Sequence, residues 1–354
     1  MNINKRCLSI IIFSLTFFVE GYSQTASICA NTLRKARTTY DEGKLHELPD
    51  ILKSCLQNGF TDEEKTEAYR LLVLSYIYLD EPEYADQAML DLLHVSKEFA
   101  PNVQTDPSEF INLYKTFRTK PLFRYGIAGG ANTTMVNVIS TNRATNNSDG
   151  KYGTLVEQLS FQGGLVFEKD LFRKFTLKSS VLYLSKKTFH TWSAFPDEIT
   201  GVNNSSSETT ESQAWIALDN LAQYKLFPKS SLNLYVTLGP SVQYLIANTR
   251  AITITNEQGS GEKGADVNLL ENGTNNRLDI GIKAGAGIKR KFGLNFFTFE
   301  LTYLYGLIDI TDKNFETGEL TWRYAQGSNR VNLHQIQLSA GLLLQWFSPK
   351  KLED

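Results

Sequence analysis

The last two-thirds of the sequence repeats one pattern, in which apolar side chains alternate with polar or small ones. Between residues 278 and 288, leucine, isoleucine and alanine alternate with aspartate, glycine and lysine. A period of two residues is typical of a β-strand with one apolar and one polar face. Eight such segments occur, at residues 122–140, 154–170, 174–192, 213–227, 231–254, 277–291, 294–311 and 331–347.

The connections between these segments alternate in length. Long polar connections follow the first, third, fifth and seventh segments, at residues 142–153, 196–212, 257–276 and 312–330. Short turns follow the second, fourth and sixth, near residues 169–170, 228–230 and 291–293. Long loops at one end of a sheet and short turns at the other are typical of outer-membrane barrels, whose short turns are periplasmic. We therefore predict an eight-stranded antiparallel transmembrane β-barrel over residues 120–348, with both termini in the periplasm.

The direction of the apolar face separates this prediction from its alternative, a soluble lipocalin-like or sandwich domain with an apolar interior. The polar faces carry four charged side chains that a barrel lumen can pair: Asp219, Asp279, Lys283 and Glu300. In the soluble alternative all four would need solvent on the outside. Lys178 and Asn220 fit neither face cleanly. We expect the four charged residues to line the lumen and outer-membrane lipid to contact the apolar face.

The first 23 residues predict a cleaved export signal. Lys5 and Arg6 precede a run of mostly apolar residues from 7 to 19, and Glu20 ends that run. A membrane anchor is the alternative, but it needs about 20 apolar residues, whereas this run has about 13. We expect the mature protein to begin near Gln24 and to lie outside the cytoplasm.

Residues 24–119 show the 3.6-residue period of helices. Residues 61–64 form a capping-box sequence, and the pair of predicted helices that follows resembles one degenerate tetratricopeptide (TPR) repeat. Five side chains stand where that repeat places its packing residues: Tyr69, Leu72, Tyr76, Ala85 and Met89. Each of them can also serve only as core of a helical bundle. The repeat architecture, rather than any one residue, indicates a protein-binding face.

Two cysteines, Cys29 and Cys55, remain after removal of the signal. If two antiparallel helices turn near Gly43, the cysteines lie about 14 and about 12 residues from the turn, at similar heights along the helix axes. Because an oxidising compartment permits pairing, we expect a disulfide in preference to two free thiols.

The sequence contains no motif for a cofactor or a metal. The 36 Lys and Arg residues against 38 Asp and Glu residues exclude a nucleic-acid binder that depends on bulk positive charge. His190, Ser193 and Asp197 lie near one predicted strand end, and His334 could face them as part of a hydrolase site. The third and eighth strands are not neighbours in a closed barrel, and no catalytic motif surrounds these residues. We therefore expect a non-enzymatic protein without a cofactor.

Four of the segments resemble the PorT-like outer-membrane β-barrel family of Bacteroidota. They read LYVTLGPSVQYL from 234, DIGIKAGAGI from 279, YLYGLIDI from 303 and IQLSAGLLLQW from 336. Residues 55–72 look like the helical region that accompanies some of these barrels. The last segment, which ends in the aromatic residues of QWF, resembles a barrel-assembly signal. The resemblance implies an envelope component linked to type IX secretion or gliding.

Together these features predict a multi-domain α plus β protein. Its parts are a signal peptide (1–23), a periplasmic TPR-like helical domain (24–119), an outer-membrane β-barrel (120–348) and a C-terminal tail (349–354). The preferred hypothesis is a barrel that anchors a helical domain, which binds a periplasmic or outer-membrane protein. The alternative is a barrel that binds or acts on external ligands or lipids through its long loops.

Overall fold

A computed structural model describes residues 23–142, 154–193, 206–227, 232–255, 261–270, 276–311 and 328–352. The chain divides into two compact units. One contains the described residues up to Pro121 together with those from Phe347 onward, and the other runs from Leu122 to Trp346. The predicted export signal, except for its last residue, lies outside the described residues.

The first unit is helical. Its helices are α1 (Ser23–Asp41), α2 (Leu48–Gln57), α3 (Asp62–Tyr78), α4 (Pro82–Val95) and α5 (Ser108–Lys115), with a 3-10 turn at Leu45–Glu47 before α2. The predicted capping box begins α3, because the Glu64 N–H donates to Thr61 Oγ1 (3.2 Å) and the Thr61 N–H donates to Glu64 Oε2 (2.9 Å). Among the described helices, none combines the length and the apolar character that a membrane crossing requires.

The second unit is an antiparallel sheet of ten strands. They are β1 (Phe123–Asn142), β2 (Thr154–Gln158), β3 (Ser160–Asp170), β4 (Phe175–Ser193), β5 (Ser206–Lys225), β6 (Leu232–Thr255), β7 (Gly261–Asn268), β8 (Leu278–Phe292), β9 (Asn295–Gly306) and β10 (Ser328–Trp346).

Eight of these strands close into a ring. The order around it is β4-β3-β1-β10-β9-β8-β6-β5, and the pairing of β5 with β4 completes the circle. β2 precedes β3, with a break at Leu159, and pairs with β4. Among the described strands, the partner of β7 is β6. The prediction of helices followed by eight barrel strands is therefore confirmed. Closure leaves the ring without a free edge, as a sheet in hydrocarbon requires.

Some strand limits differ from the predicted ones. β5 begins at Ser206 and not at 213, and β10 begins at Ser328 and not at 331. Residues 206–212 pair in register with the last residues of β4 and with the far end of β6. β7 occupies part of the predicted third connection. Residues 206–212 are all polar, and residues 261–268 are mostly polar or glycine, so backbone pairing forms strands that the apolar alternation does not mark.

The two described short turns join β3 to β4 and β8 to β9. The second turn has Gly293 at φ +57°, a left-handed conformation that glycine adopts without the penalty of a Cβ. The predicted turn at 228–230 lies outside the described residues, as do most of the long connections, at 143–153, 194–205 and 312–327.

The two faces of the ring differ sharply in polarity. Ile282 and Phe299 face outward, each with 48% of its surface exposed, whereas their neighbours Lys283 and Glu300 retain 2% and 5%. The same alternation runs along the other strands of the ring, with exposed apolar and buried polar side chains. The apolar face therefore points away from the lumen, opposite to the arrangement of a soluble barrel with an apolar interior.

Candidate functional site

The lumen holds buried ion pairs at several levels. Lys283 Nζ lies 2.6 Å from Asp219 Oδ2 and 3.0 Å from Gln337 Oε1. Asp219 Oδ2 also accepts a hydrogen bond from Ser180 Oγ at 3.2 Å. Both charged side chains of this pair retain only 2% exposure, so each depends on the other for the neutralisation of its charge.

Glu300 is paired across the lumen. Its Oε1 lies 2.7 Å from Nζ of Lys178, so the lysine that fits neither face by sequence belongs to the lumen. Lys178 stands on β4 and Glu300 on β9, four positions apart in a ring of eight. The pair therefore joins opposite walls of the barrel.

Asp279 is the fourth predicted lumen residue, and it is placed differently. Its side chain is fully buried, yet neither carboxylate oxygen has a hydrogen-bond partner among the described residues. Its charge interacts with those of Lys186 and His334. The structure thus brings Asp219 and Lys283 into direct contact, joins Glu300 to Lys178, and leaves Asp279 in a separate layer.

A further ion cluster nearer the short turns was not predicted. Lys289 Nζ lies 2.5 Å from Glu168 Oε2, which also contacts Arg124 Nη1 at 3.4 Å. Arg124 in addition pairs with Asp170, whose other oxygen accepts from Lys225 Nζ at 2.7 Å. Lys289 on β8 and Glu168 on β3 also stand four positions apart in the ring. Both residues are in phase with the polar face of their own strands, so the alternation pattern contained the signal that identifies them.

Amide side chains fill the next layer of the lumen. Lys186 Nζ donates to Gln243 Oε1 at 2.7 Å and lies 4.1 Å from the centre of the Trp215 ring. Gln335 Nε2 donates to the same Gln243 oxygen at 2.9 Å, and Gln337 Nε2 donates to Gln335 Oε1 at 2.8 Å. This chain of hydrogen bonds links β4, β6 and β10 through the interior.

The end of the lumen toward the long loops combines an apolar cluster with a second carboxylate centre. The apolar cluster consists of Leu182, Leu184, Trp215, Ala217, Leu245, Ile310 and Leu333. Beside it Glu211 accepts hydrogen bonds from Arg250 (2.7 Å), Gln213 (2.7 Å) and Asn248 (2.9 Å). The described lumen is therefore occupied by packed and paired side chains from the short-turn end to the loop end, as an eight-stranded barrel permits.

A family model described as "Outer membrane protein beta-barrel domain" matches residues 106–312. The chain belongs to this family. The match spans the end of the helical unit and the ring as far as β9, which agrees with the apolar outer face and the charged lumen. The narrower resemblance to PorT-like barrels stays a prediction.

Solved structures of outer-membrane barrels resemble this family member. OprG from Pseudomonas aeruginosa is 12% identical over 64% of this chain and 98% of its own, with a TM-score of 0.36. Neisserial surface protein A is 12% identical over 65% of this chain and 97% of its own (TM-score 0.27), and a major outer membrane protein from Thermus thermophilus is 12% identical over 63% and 99% (TM-score 0.29). No curated protein matches the sequence.

Of the residues considered for a hydrolase site, the two histidines are not brought together in this outer-membrane barrel. His190 on β4 lies near Glu211, whereas His334 on β10 packs against the rings of Tyr303 and Tyr305. Two strands, β3 and β1, separate β4 from β10 in the ring. Asp197 and the side chain of Ser193 lie outside the described part of the chain. Among the described residues, no group of three potential metal ligands occurs.

The helical unit has a separate core, and its two cysteines are joined. Cys29 of α1 and Cys55 of α2 form a disulfide with a Cα–Cα distance of 5.6 Å. Of the five packing residues considered from sequence, three are buried in α3 and α4 and two lie at the margin of the core. The buried ones are Leu72, Ala85 and Met89, and the marginal ones are Tyr69 and Tyr76.

The C-terminal tail is part of the helical unit. The Arg118 N–H donates to the Lys350 carbonyl at 2.8 Å, and the Leu352 N–H donates to the Thr116 carbonyl at 2.7 Å. The Arg118 guanidinium also donates twice to the Ser348 carbonyl, at 2.7 and 3.0 Å. The sequence predicts residues 349–354 as a separate tail, because a two-stranded contact of this length carries no apolar pattern.

Proposed function

We propose that this outer-membrane barrel is an anchor and that its helical unit is a periplasmic docking module for another envelope protein. The observation that supports this proposal is the pairing of Lys178 with Glu300 and of Lys289 with Glu168 across the lumen. Ion pairs between opposite walls obstruct a diffusion path, so the barrel contributes attachment and the separate helical unit contributes recognition.

The arrangement of strand ends supports the proposed orientation. β1 begins at Phe123 and β10 ends at Trp346, at the same end of the ring as the turns between β3 and β4 and between β8 and β9. Because short turns face the periplasm in this class of barrel, we place both termini there. The helical unit then lies on the side where other envelope proteins are available.

We further propose that the protein is non-enzymatic, that its helical unit works in the manner of a TPR repeat, and that it assists secretion, gliding or envelope assembly. The PorT-like segments and the packing residues of α3 and α4 support this narrower role. The paired charges of the lumen, including Glu211 and Arg250 at the loop end, are already committed to neighbouring side chains.

Thiol labelling on intact cells tests the orientation. Two exposed positions are suitable for cysteine substitution. Val103, in the helical unit, has 80% of its surface exposed, and Glu208 is exposed at the loop end of β5. A membrane-impermeant maleimide should label Glu208→Cys on intact cells and Val103→Cys only after the outer membrane is permeabilised. Labelling of Val103→Cys on intact cells contradicts the proposed orientation.

Site-specific cross-linking in the full chain tests the docking role. A photo-reactive phenylalanine at Tyr84, an exposed side chain of α4 that stacks on Tyr76, should give a discrete adduct with an envelope protein. The same amino acid at the outward-facing residue Leu238 of β6 is the control and should give lipid adducts. A variant that lacks residues 24–119 and 348–354 removes the whole helical unit. If that variant keeps the full phenotype, the docking role is wrong.

An alternative function, the binding of external ligands or lipids through the long loops, is supported by the strands that extend toward the loops. The outward residues at the loop end of β5 are polar, namely Glu208, Thr210 and Ser212, and β7 widens this end by pairing with β6. Under this alternative, shortening the connection at residues 256–276 should abolish ligand or surface binding. Under the docking proposal, the same change should leave the Tyr84 adduct unchanged.

A further inference from the structure

Midway along β4 and β5, a polar pair lies among apolar side chains on the described outward face of the barrel. Ser179 on β4 and Asn220 on β5 are directly paired in the ladder, and Ser179 Oγ donates to Asn220 Oδ1 at 2.7 Å. Leu218 and Val181, the next outward residues on the same two strands, are 50% and 46% exposed. Asn220 does not fit the alternation of apolar and polar residues in the sequence, and the lumen network does not include it.

The pair lies at the depth of the acyl chains. Phe175 and Tyr224 form an aromatic pair at the short-turn end of the same two strands, with ring centroids 5.1 Å apart. Asn220 stands four residues from Tyr224. At about 3.4 Å per residue and a strand tilt of about 40°, that separation is about 10 Å along the membrane normal. The aromatic pair marks the interface, so the amide is inside the hydrocarbon layer.

The hydrogen-bonding capacity of Asn220 is only partly used. Its Oδ1 accepts from Ser179, and its two amide protons have no acceptor among the described side chains. Acyl chains offer no acceptor, and a polar side chain on the lipid face is disfavoured unless another protein group satisfies it. A protein partner with a carbonyl-type oxygen at this depth would therefore complete the hydrogen bonds of the Asn220 amide.

A shallow groove of about 380 Å³ lies beside the pair. Its apolar lining comes from four consecutive strands of the ring: Tyr125, Leu165, Phe167, Val181 and Leu218. The groove has room for an aliphatic side chain, and the exposed Leu218 forms its wall on β5, on the same face as Asn220. One patch thus contains both a recess and a projection, which is the property that a two-fold symmetric contact needs.

We propose that this patch is the contact of a homodimer within the membrane. Two copies related by a two-fold axis near Asn220 place each amide N–H against Oδ1 of the other copy, since that oxygen has a second lone pair. Leu218 of each copy then enters the groove of the other. In a second copy, the Asn220 side chain supplies the acceptor oxygen that the Asn220 amide N–H of the first copy lacks. No other ligand is needed to complete this hydrogen bond.

Energy transfer between labelled copies of the full chain tests the proposal. Donor- and acceptor-labelled protein is reconstituted in phosphatidylethanolamine and phosphatidylglycerol vesicles over a range of protein-to-lipid ratios. Wild-type protein should associate as a dimer, and Asn220→Leu should need an about tenfold higher protein-to-lipid ratio for the same association. The comparison variant Asn137→Leu makes the same change at an exposed position nearer the loop end of β1 and should associate like the wild type.

Two results overturn the proposal. One is transfer that is absent for the wild type at all ratios, which leaves a lipid or a different protein as the occupant of the patch. The other is equal association of the wild type and Asn220→Leu. Leucine suits a lipid-facing position, so Asn220→Leu should still fold, and heat-modifiable electrophoretic mobility checks this. As a second measurement, oxidation in native membranes should link Asn220→Cys, but not Asn137→Cys, into covalent dimers.

Discussion

Lys178 on β4 and Glu300 on β9 form a 2.7 Å ion pair between strands that stand opposite each other in the ring. Lys289 and Glu168 form a second such pair nearer the short turns. Each pair spans the interior, so the two together hold the opposite walls at a fixed separation and place charged side chains in the middle of the lumen. The same contacts that neutralise buried charges therefore also obstruct the channel.

Removal of the opposite-wall pairs should open the lumen. The double variant Lys178→Ala/Glu300→Ala removes both side chains of one pair and leaves no unpaired charge, so it should fold and admit water at that level. We expect single-channel conductance in planar bilayers to rise several-fold over the wild type, and to rise further when Lys289→Ala/Glu168→Ala is added. The exposed residue Lys169 supplies the control Lys169→Ala, whose conductance should stay at the wild-type level. Equal conductance in all variants contradicts the role of the pairs as the obstruction.

Among single substitutions in the barrel, loss of one partner of the Lys283–Asp219 pair should lower the free energy of unfolding most. Lys283→Met leaves the Asp219 carboxylate without its cation at a site with 2% exposure, and loss of one partner of a buried pair costs about 3–5 kcal/mol. Urea unfolding in lipid vesicles, followed by tryptophan fluorescence, measures this loss.

The double variant Lys283→Met/Asp219→Leu separates pairing from packing. Without a stranded charge it should recover most of the stability, because apolar replacement of a whole buried pair is close to neutral. A double variant as unstable as Lys283→Met alone means that the other contacts of the lysine, such as the bond to Gln337, carry the stability.

The sequence pattern identified the barrel strands because each strand lies between lipid and a polar interior, and this contrast produces a period of two residues. The pattern failed at residues 206–212, which are all polar, and in β7, whose residues are mostly polar or glycine. It assigned Asp219, Asp279, Lys283 and Glu300 to one face but not to partners. Which residues meet across the lumen depends on the stagger of eight strands around a closed ring, and no single segment contains that information.

The disulfide should stabilise the helical unit and leave the barrel unaffected. Cys29 and Cys55 are separated by 26 positions, and closure of a loop of that size is worth about 3.5 kcal/mol in the chain-entropy model. We expect the double variant Cys29→Ser/Cys55→Ser to lower the melting temperature of the helical unit, followed by circular dichroism at 222 nm. The barrel transition, followed by heat-modifiable mobility, should not move. A shift of the barrel transition of equal size contradicts the division into two independently stabilised units.

The C-terminal tail should be needed for the stability of the helical unit. Residues 347–352 provide the carbonyl of Lys350 to the Arg118 N–H and the carbonyl of Ser348 to the Arg118 guanidinium, and Lys351 pairs with Asp86 of α4. A chain that ends at residue 347 keeps all of β10 but loses these contacts and leaves the partly buried groups of Arg118 without acceptors. We expect faster cleavage of the helical unit by a protease added to permeabilised cells, while the barrel assembles normally.

The variant Arg118→Gln should show a smaller increase in the cleavage rate. It keeps the backbone hydrogen bonds from position 118 to Lys350 and from Leu352 to Thr116, and loses only the bonds of the guanidinium. If truncation at 347 leaves the cleavage rate unchanged, the tail does not contribute to the helical fold.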